Sequence, residues 1–347
     1  MGKIKGSALF VLFMGVVVGM FLLPQWSTLQ QEKSVNFGNS KSTRADHAPV
    51  LINGDTELMA EFPTMSISNL EFDGSSTGYC AVIGNVSAIT INNCEFNNAA
   101  GAGGLVLINC VAIEINNCTF SSDSFGLKIE GGSSAASAIN INNCEFKNMA
   151  NTGIYLSGTT AFNLLNAKIE DGANGIVIKS VTGVNIQNCD IKNMTSTGIK
   201  IESAQNGTAA NNIKDCKVEK CADGIYVTGS TAVNIQGCKV DNCTGDGIKV
   251  ESTTACNIQN NEVQSCKVGI KLQASNGNTV SDNTAKNNSD WDIYQSDGTT
   301  NTISSNTATK VYTGAAEDGK SPGFGLILAV FGVVVVAMAI GMGRRQK

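Results

Sequence analysis

The sequence predicts an all-β solenoid of about 11 coils, flanked by a hydrophobic helix at each end. Three observations lead there. A six-residue pattern recurs along the middle of the chain, the position before each repeat centre is almost always Asn, Asp or Gly, and a long apolar run sits at each terminus.

The repeat is clearest in Ile91-Asn92-Asn93-Cys94-Glu95-Phe96, Ile115-Asn116-Asn117-Cys118-Thr119-Phe120 and Ile141-Asn142-Asn143-Cys144-Glu145-Phe146. It continues around Cys189, Cys216 and Cys238, with degenerate copies centred on Leu70, Ala167, Asn261, Asn283 and Asn306. These 11 centres are spaced 22 to 27 residues apart, a period that marks a solenoid. Before them stand Asn69, Asn93, Asn117, Asn143, Asn166, Asn188, Asp215, Gly237, Asn260, Asp282 and Ser305. Asn, Asp and Gly tolerate positive φ. Each copy is therefore expected to be strand, one-residue left-handed bend, strand. After the bend Cys94 and Phe96 share a face and Glu95 points the other way.

A second run follows in each repeat, always after Gly: Leu127-Lys128-Ile129, Ile154-Tyr155-Leu156, Ile176-Val177-Ile178, Ile199-Lys200-Ile201, Ile225-Tyr226-Val227, Ile248-Lys249-Val250 and Ile270-Lys271-Leu272. Apolar residues flank a polar centre, Val177 excepted, which is the alternation of a strand with one buried face. Three short strands per repeat leave no room for a helix. Leucine-rich and βαβ arrays are excluded, and one coil of a β-helix remains. Over residues 65–310 the sequence resembles the parallel β-helix repeat family, which implies a single-stranded, right-handed parallel solenoid. Eleven coils at about 4.8 Å per rung give a rod about 50 Å long. Each coil buries its apolar side chains only against its neighbours.

The β-helix ectodomain is expected over residues 48–310, with 48–64 capping the front and Ser289 to Tyr294, including Trp291, beginning the tapered end, because exposed rungs need cover. Residues 25–47 and 311–320 read as linkers. At the N-terminus, Lys3 and Lys5 precede an apolar or small run from Ser7 to Leu23. Residues 1–24 are thus a signal peptide or an uncleaved signal anchor; a prepilin-type cut at Lys5-Gly6 is a further alternative. At the C-terminus, Pro322-Gly323-Phe324 leads into an apolar run to Met342 and then Arg344-Arg345-Gln346-Lys347. The run is long enough to cross a bilayer, with its cations on the cytoplasmic side. These parts, in this order over residues 321–347, resemble the archaeal PGF-type C-terminal sorting signal. That resemblance implies an archaeal cell surface, and a tail that an archaeosortase exchanges for lipid; a plain transmembrane anchor is the alternative. Either way the membrane is a partner and the ectodomain lies outside the cell.

Composition removes several function classes. The net charge is −5 and no basic block lies between the two ends, so no nucleic acid partner is expected. His47 is the only histidine, which excludes multi-histidine metal sites and a Ser/His/Asp triad. No Arg occurs between residues 45 and 343, so the arginine base of the pectate lyase family has no counterpart. No phosphate-binding Gly loop is present, and no cofactor is expected. The chain has 12 Cys. Cys94, Cys118 and Cys144, and again Cys189, Cys216 and Cys238, hold one repeat position and should stack as an internal ladder that Asn261, Asn283 and Asn306 continue. Cys221, Cys243 and Cys266 should form another, at the position of Met149 and Met194, which marks it as apolar packing. In-register side chains fit disulfide geometry poorly. Buried thiols are expected, with cross-links such as Cys216 to Cys238 the alternative, and the absence of Cys-x-x-Cys disfavours zinc. Free thiols outside a cell would suit an anaerobic source.

The best candidate chemistry is Asp223-Gly224 and Asp246-Gly247 on adjacent rungs. Lys200, Tyr226 and Lys249 would project beside them, with Glu202 and Glu251 two residues on. Asp223, Asp246 and Lys249 are the candidate catalytic residues of a carbohydrate-active patch, and Tyr155, Tyr226 and Trp291 the candidate sugar-stacking rings. The competing reading is Asp-Gly turn chemistry and an edge-protecting Lys/Glu surface. Acceptor sequons occur at Asn85, Asn193, Asn206, Asn242 and Asn287, and at Asn117 beside the inward Cys118. Together these features favour a non-catalytic structural or adhesive surface protein whose partners are envelope glycans or other surface proteins. The alternative is a β-helix that binds or degrades polysaccharide as a lyase or hydrolase.

Overall fold

All eleven positions before the repeat centres adopt left-handed backbone, with φ from 52° at Asp215 to 67° at Gly237. A single such residue turns the strand through a corner. Asn suits it because its short amide also bonds along the rod axis: Asn93 donates to Asn69 (3.3 Å), Asn143 to Asn117 (3.3 Å) and Asn166 to Asn143 (3.0 Å). Two further left-handed corners recur in most coils, at Asn98, Ser122 and Asn148, for example, and at Asn85, Asn109 and Ser180.

The computed structural model describes residues 45–131, 138–204, 211–298 and 300–314. The chain begins with β1 (Ala45–His47), β2 (Val50–Asn53) and a short helix α1 (Asp55–Glu61). The first complete coil is β3 (Ser66–Ser68), β4 (Leu70–Asp73) and β5 (Tyr79–Gly84). Later coils repeat this triplet, giving a prism with three faces. The β3-type strands stack into an 11-stranded sheet, the first face. The β4-type and β5-type strands build the second and third faces. They merge into one 21-stranded sheet because strands Glu145–Ser157 and Lys168–Lys179 run through the corner between them. Among the described residues every strand pairing is parallel, with one register shift, between Met149 and Thr152; Ile91 sits over Ile115 and Ile115 over Ile141.

The interior is built from files of like residues. Phe72, Phe96, Phe120 and Phe146 are fully buried and stack with centroids 5.2, 4.9 and 4.6 Å apart. The same file continues through Ile169, Ile191, Val218, Val240 and Val263 to Ala285, so its side chains shrink toward the C-terminal end. Each large residue contributes roughly 1.5–3 kcal/mol by burial.

All twelve Cys are free and buried. Beside the first corner, Cys94 donates its thiol to the Asn92 (3.3 Å) and Ile67 (3.6 Å) carbonyls, and Cys118 does the same to Asn116 (3.4 Å) and Ile91 (3.7 Å). Lower down Asn261, Asn283 and Asn306 take over, their amides donating to Ile235, Ile258 and Val280 at 2.8–2.9 Å. The ladder read from the sequence is present in two runs, Cys94 to Cys144 and Cys189 to Asn306, with buried Ala167 between them. Beside the second corner, Met149, Met194, Cys221, Cys243 and Cys266 are buried in one file. Asp123 belongs to it as well. Its Oδ1 accepts the Ala99 N–H (2.7 Å), its Oδ2 has no partner, and burial pushes the carboxyl up to about 8.

The boundaries differ from expectation at both ends. Ala45–His47, assigned to the linker 25–47, is a strand that pairs with β4. The His47 ring covers the exposed end of the phenylalanine stack, 5.1 Å from Phe72 and 5.5 Å from Phe62. The expected front cap is real: α1 buries Leu58, and Asp55 accepts the Ser87 N–H (2.7 Å) and hydroxyl (2.6 Å). At the other end Val311–Tyr312, assigned to the linker 311–320, pairs with Trp291–Ser296. Buried Asp292 holds this return. Its carboxylate accepts from the Thr309 N–H (2.9 Å) and hydroxyl (2.8 Å), the Lys310 N–H (3.1 Å) and the Asn288 amide (2.9 Å). Burial alone would raise the Asp292 carboxyl; these hydrogen bonds outweigh it and hold the group below its ordinary value. Among the described residues α1 is the sole helix, and none is long and apolar enough to cross a membrane. The hydrophobic segments at 1–24 and 321–347, with Pro322, Gly323 and Phe324, lie outside the described residues.

Candidate functional site

The three faces carry different chemistry. On the first, Asn140, Asn163, Asn185, Asn212, Asn234 and Asn257 form one outward file. Its amides bond to one another, Asn163 to Asn140 and Asn234 to Asn212 at 3.0 Å each. The second is a lattice of ion pairs: Glu145 with Lys147 (2.9 Å) and Lys168 (3.3 Å), Glu170 with Lys192 (2.8 Å), and Glu262 with Lys286 (3.0 Å). Such partly exposed pairs contribute about 0–1 kcal/mol each. Both faces pair largely within themselves, although Asp190 and Asp241 on the second each keep one oxygen without a partner among the described residues.

The third face pairs its charges too, but adds aromatic rings to them. Its central outward file runs Lys128, Tyr155, Val177, Lys200, Tyr226, Lys249, Lys271, Tyr294 and Tyr312. Tyr226 lies between two cations, with the Lys249 ammonium 4.5 Å and the Lys200 ammonium 5.5 Å from its ring centroid, a favourable cation–π arrangement. The Tyr226 hydroxyl donates to Glu251, which also pairs with Lys249 at 3.1 Å. Lys200 pairs with Glu202 at 3.3 Å and Lys271 with Asp246 at 3.1 Å.

The two aspartates sit on adjacent rungs as the spacing predicts, but each is already engaged. Asp223 Oδ1 accepts the Asp246 backbone N–H at 2.8 Å. The Asp246 carboxyl is buried and ion-paired with Lys271. Their glycines are fixed by close packing between coils, since a Cβ on Gly224 would lie 2.4 Å from the Gly247 carbonyl oxygen. Both Asp-Gly pairs open strands, Asp223–Thr228 and Asp246–Glu251, rather than forming turns, and the glycine is required by the close approach of the next coil.

The electrostatics bear on catalysis. Burial, and then the hydrogen bond to Glu251, raise the Tyr226 hydroxyl above its ordinary value. Lys249 loses from burial but gains more from Glu251, Tyr226 and Asp246, and ends above the usual amine range. The hydrogen bond from Tyr226 leads in holding Glu251 low. Burial raises Asp246, with Lys271 opposing it. A general base works best with a pKa near the operating pH. Tyr226 and Lys249 are both moved away from it.

Of the predicted rings, Tyr155 stands three rungs from Tyr226 and makes an edge contact with Phe125 (5.9 Å). Trp291 lies beside the C-terminal end of the file, where it joins two tyrosines not singled out from sequence. Tyr294 and Tyr312 stack at 5.1 Å, and Trp291 is 5.6 Å from Tyr312. All three rings are partly exposed. Tyr294 could have been found by extending the Lys249–Lys271 file by one rung. Asn85, Asn193, Asn242 and Asn287 are exposed at left-handed corners, and so is Asn117. Asn206 lies outside the described residues.

A family model described as a right handed beta helix region matches residues 132–213 and 206–325. Similar solved structures include the periplasmic alginate epimerase AlgG, with a TM-score of 0.52, 14% identity, and 78% of this chain and 85% of that chain covered. A mutant of the same enzyme gives 0.53 and 14%, over 78% and 84%. The catalytic unit of a thermostable alpha-glucanase from Streptomyces thermodiastaticus gives 0.40 and 12%, over 73% and 62%. At these identities the likeness is one of fold. No curated protein matches the sequence.

Proposed function

We propose that this chain, which belongs to the right-handed β-helix family, is a cell-surface polysaccharide-binding protein that grips a glycan strand along its third face without turning it over. The observation that carries this is the unbroken file Tyr226, Lys249, Lys271, Tyr294 and Tyr312 on consecutive rungs, with Trp291 beside it. Five rungs span about 20 Å, parallel to the rod axis. Exposed rings offer flat apolar surface to sugar C–H groups while keeping a polar edge. Lys249, Lys271 and Glu251 supply donors and acceptors for hydroxyls and carboxylates. The fold shared with an alginate epimerase supports a polysaccharide as the ligand class. The upward shifts of Tyr226 and Lys249 support binding over proton abstraction. The apolar runs at 7–23 and 324–342 support tethering at a membrane, where such a binder acts as an adhesive envelope component.

A second reading, turnover at the same place, is favoured by one observation: the buried, raised Asp246 carboxyl beside Lys271. One experiment separates the two. The detergent-solubilised chain is titrated with alginate, pectate and neutral glucans, following binding by isothermal titration calorimetry, with new reducing ends and unsaturated uronate absorbance followed in parallel. Saturable binding that falls at least tenfold in Trp291→Ala/Tyr294→Ala, with no product formed, is expected. Product formation that disappears in Lys249→Met would make the chain an enzyme. A folded protein that binds none of these glycans would sink the proposal.

A further inference from the structure

Asn193, Asn242 and Asn287 lie on one edge of the prism, at the left-handed corner between the second and third faces. Registered strands place Asn193, Lys220, Asn242, Ser265 and Asn287 at the same corner of five consecutive coils, with φ from 54° to 60°. Each of the three asparagines begins an Asn-x-Ser/Thr triplet, and the triplets are built alike. The Asn is exposed; the middle residue, Met194, Cys243 or Asn288, is buried; the hydroxyl residue, Thr195, Thr244 or Ser289, is exposed again. The buried residue anchors the corner while both reacting positions face solvent on a convex edge. Among the described residues the side-chain amides of Asn242 and Asn287 have no hydrogen-bond partner, and the Asn193 side-chain amide spends one hydrogen on Asp171 (2.9 Å) and keeps the other.

The other asparagines are less well placed. Asn98 and Asn148 share this edge but have Ala100 and Ala150 where the hydroxyl is needed. The sequon at Asn85 has its Ser87 held by Asp55 in the front cap. Thr119 of the Asn117 sequon is already strand, facing the ion-pair lattice.

We propose that Asn193, Asn242 and Asn287 are N-glycosylation sites that line this edge with glycans on every second coil, about 10 Å apart. The donor is a lipid-phosphate-linked oligosaccharide. The Asn side-chain nitrogen attacks its anomeric carbon, so the C–N bond forms as the bond from that carbon to the phosphate oxygen breaks. The lipid phosphate leaves with the electron pair, the nitrogen gives up one proton, and nothing is oxidised or reduced. The alternation leaves each glycan two rungs of edge, with only Lys220 or Ser265 between.

The test uses the full chain exported by cells that carry out such transfer, with an established acceptor sequon appended at one end as a reporter. Glycopeptide mass spectrometry is expected to find all three sites occupied. Asn193→Gln, Asn242→Gln and Asn287→Gln should each remove one glycan mass. Thr195→Ala, Thr244→Ala and Ser289→Ala should do the same while leaving the asparagine in place. Circular dichroism confirms that each variant is folded. Any one of the three sites bare while the reporter is occupied overturns the proposal.

Discussion

Asn261 stands one coil below Cys238 at the same corner, and does with both ends of its amide what the cysteine does with one. Its Oδ1 accepts the Cys238 backbone N–H at 2.9 Å while its Nδ2 donates to the Ile235 carbonyl at 2.9 Å. Cys238 offers only a weak thiol donor to Ile213 (3.7 Å) and Gln236 (3.6 Å). Asn283 and Asn306 repeat the stronger arrangement. Carrying the asparagine ladder up one rung with Cys238→Asn is therefore expected to stabilise the rod by roughly 0.5–1.5 kcal/mol. Cys238→Ala should destabilise it by opening a small void. Thermal unfolding of the pair decides: an Asn variant that melts below the Ala variant contradicts the account.

Asp123 gives a pH prediction. Its folded value, about 8, lies above the unfolded value of 3.8 because burial disfavours the charge. The folded state therefore holds the proton more tightly. Stability is fullest below about pH 4 and declines as pH rises toward 8. Asp123→Asn keeps the acceptor for the Ala99 N–H and abolishes the titration. It should leave the melting temperature almost unchanged at pH 4 and raise it at pH 9. Parallel pH profiles for the two proteins would show this assignment to be wrong.

In the phenylalanine file, Phe120 is sandwiched between Phe96 and Phe146. Phe120→Ala should cost about 3–5 kcal/mol. A conservative Phe120→Leu should cost less than half as much. Denaturant titration followed by near-ultraviolet circular dichroism measures both, and equal losses would mean that the ring stack, and not the filled volume, carries the stability.

The thiols should be silent in the native protein. All twelve are buried and so out of a reagent's reach, and at Cys80 and Cys221 burial also raises the thiol, up to about 12 and about 11, so thiolate is scarce there. A thiol reagent at pH 8 should label none of the twelve before unfolding and all twelve after it. Rapid native labelling would show that the rod opens locally, and fewer than twelve after denaturation without reductant would show cross-links.

The repeat was legible because a one-residue corner asks for a special residue. Asn69, Asn93 and their successors announce it, and the Cys-to-Asn ladder follows from position alone. The other two corners were less legible, because residues such as Ser122, Lys220, Ser203 and Ala274 adopt positive φ there under the constraint of coil stacking rather than by preference. His47 read as linker because its partner Phe72 lies 25 residues away and one such contact makes no pattern. The aromatic platform was half visible. Tyr312 follows Tyr294 after 18 residues, shorter than any other interval in the repeat, so the last return fell outside the period that located everything else.

The file that begins with Phe72 and ends with Ala285 loses side-chain size toward the C-terminal end of the solenoid. The apolar area that this file contributes falls along it, and with it that file's share of the adhesion between neighbours, at about 25 cal/mol per Å². A load pulling on the tail of the chain is therefore expected to peel coils in order from that end, with Asp292 the first latch to give way. The rings proposed to hold a glycan sit on that last stretch, so an occupied third face would brace the place where tearing starts.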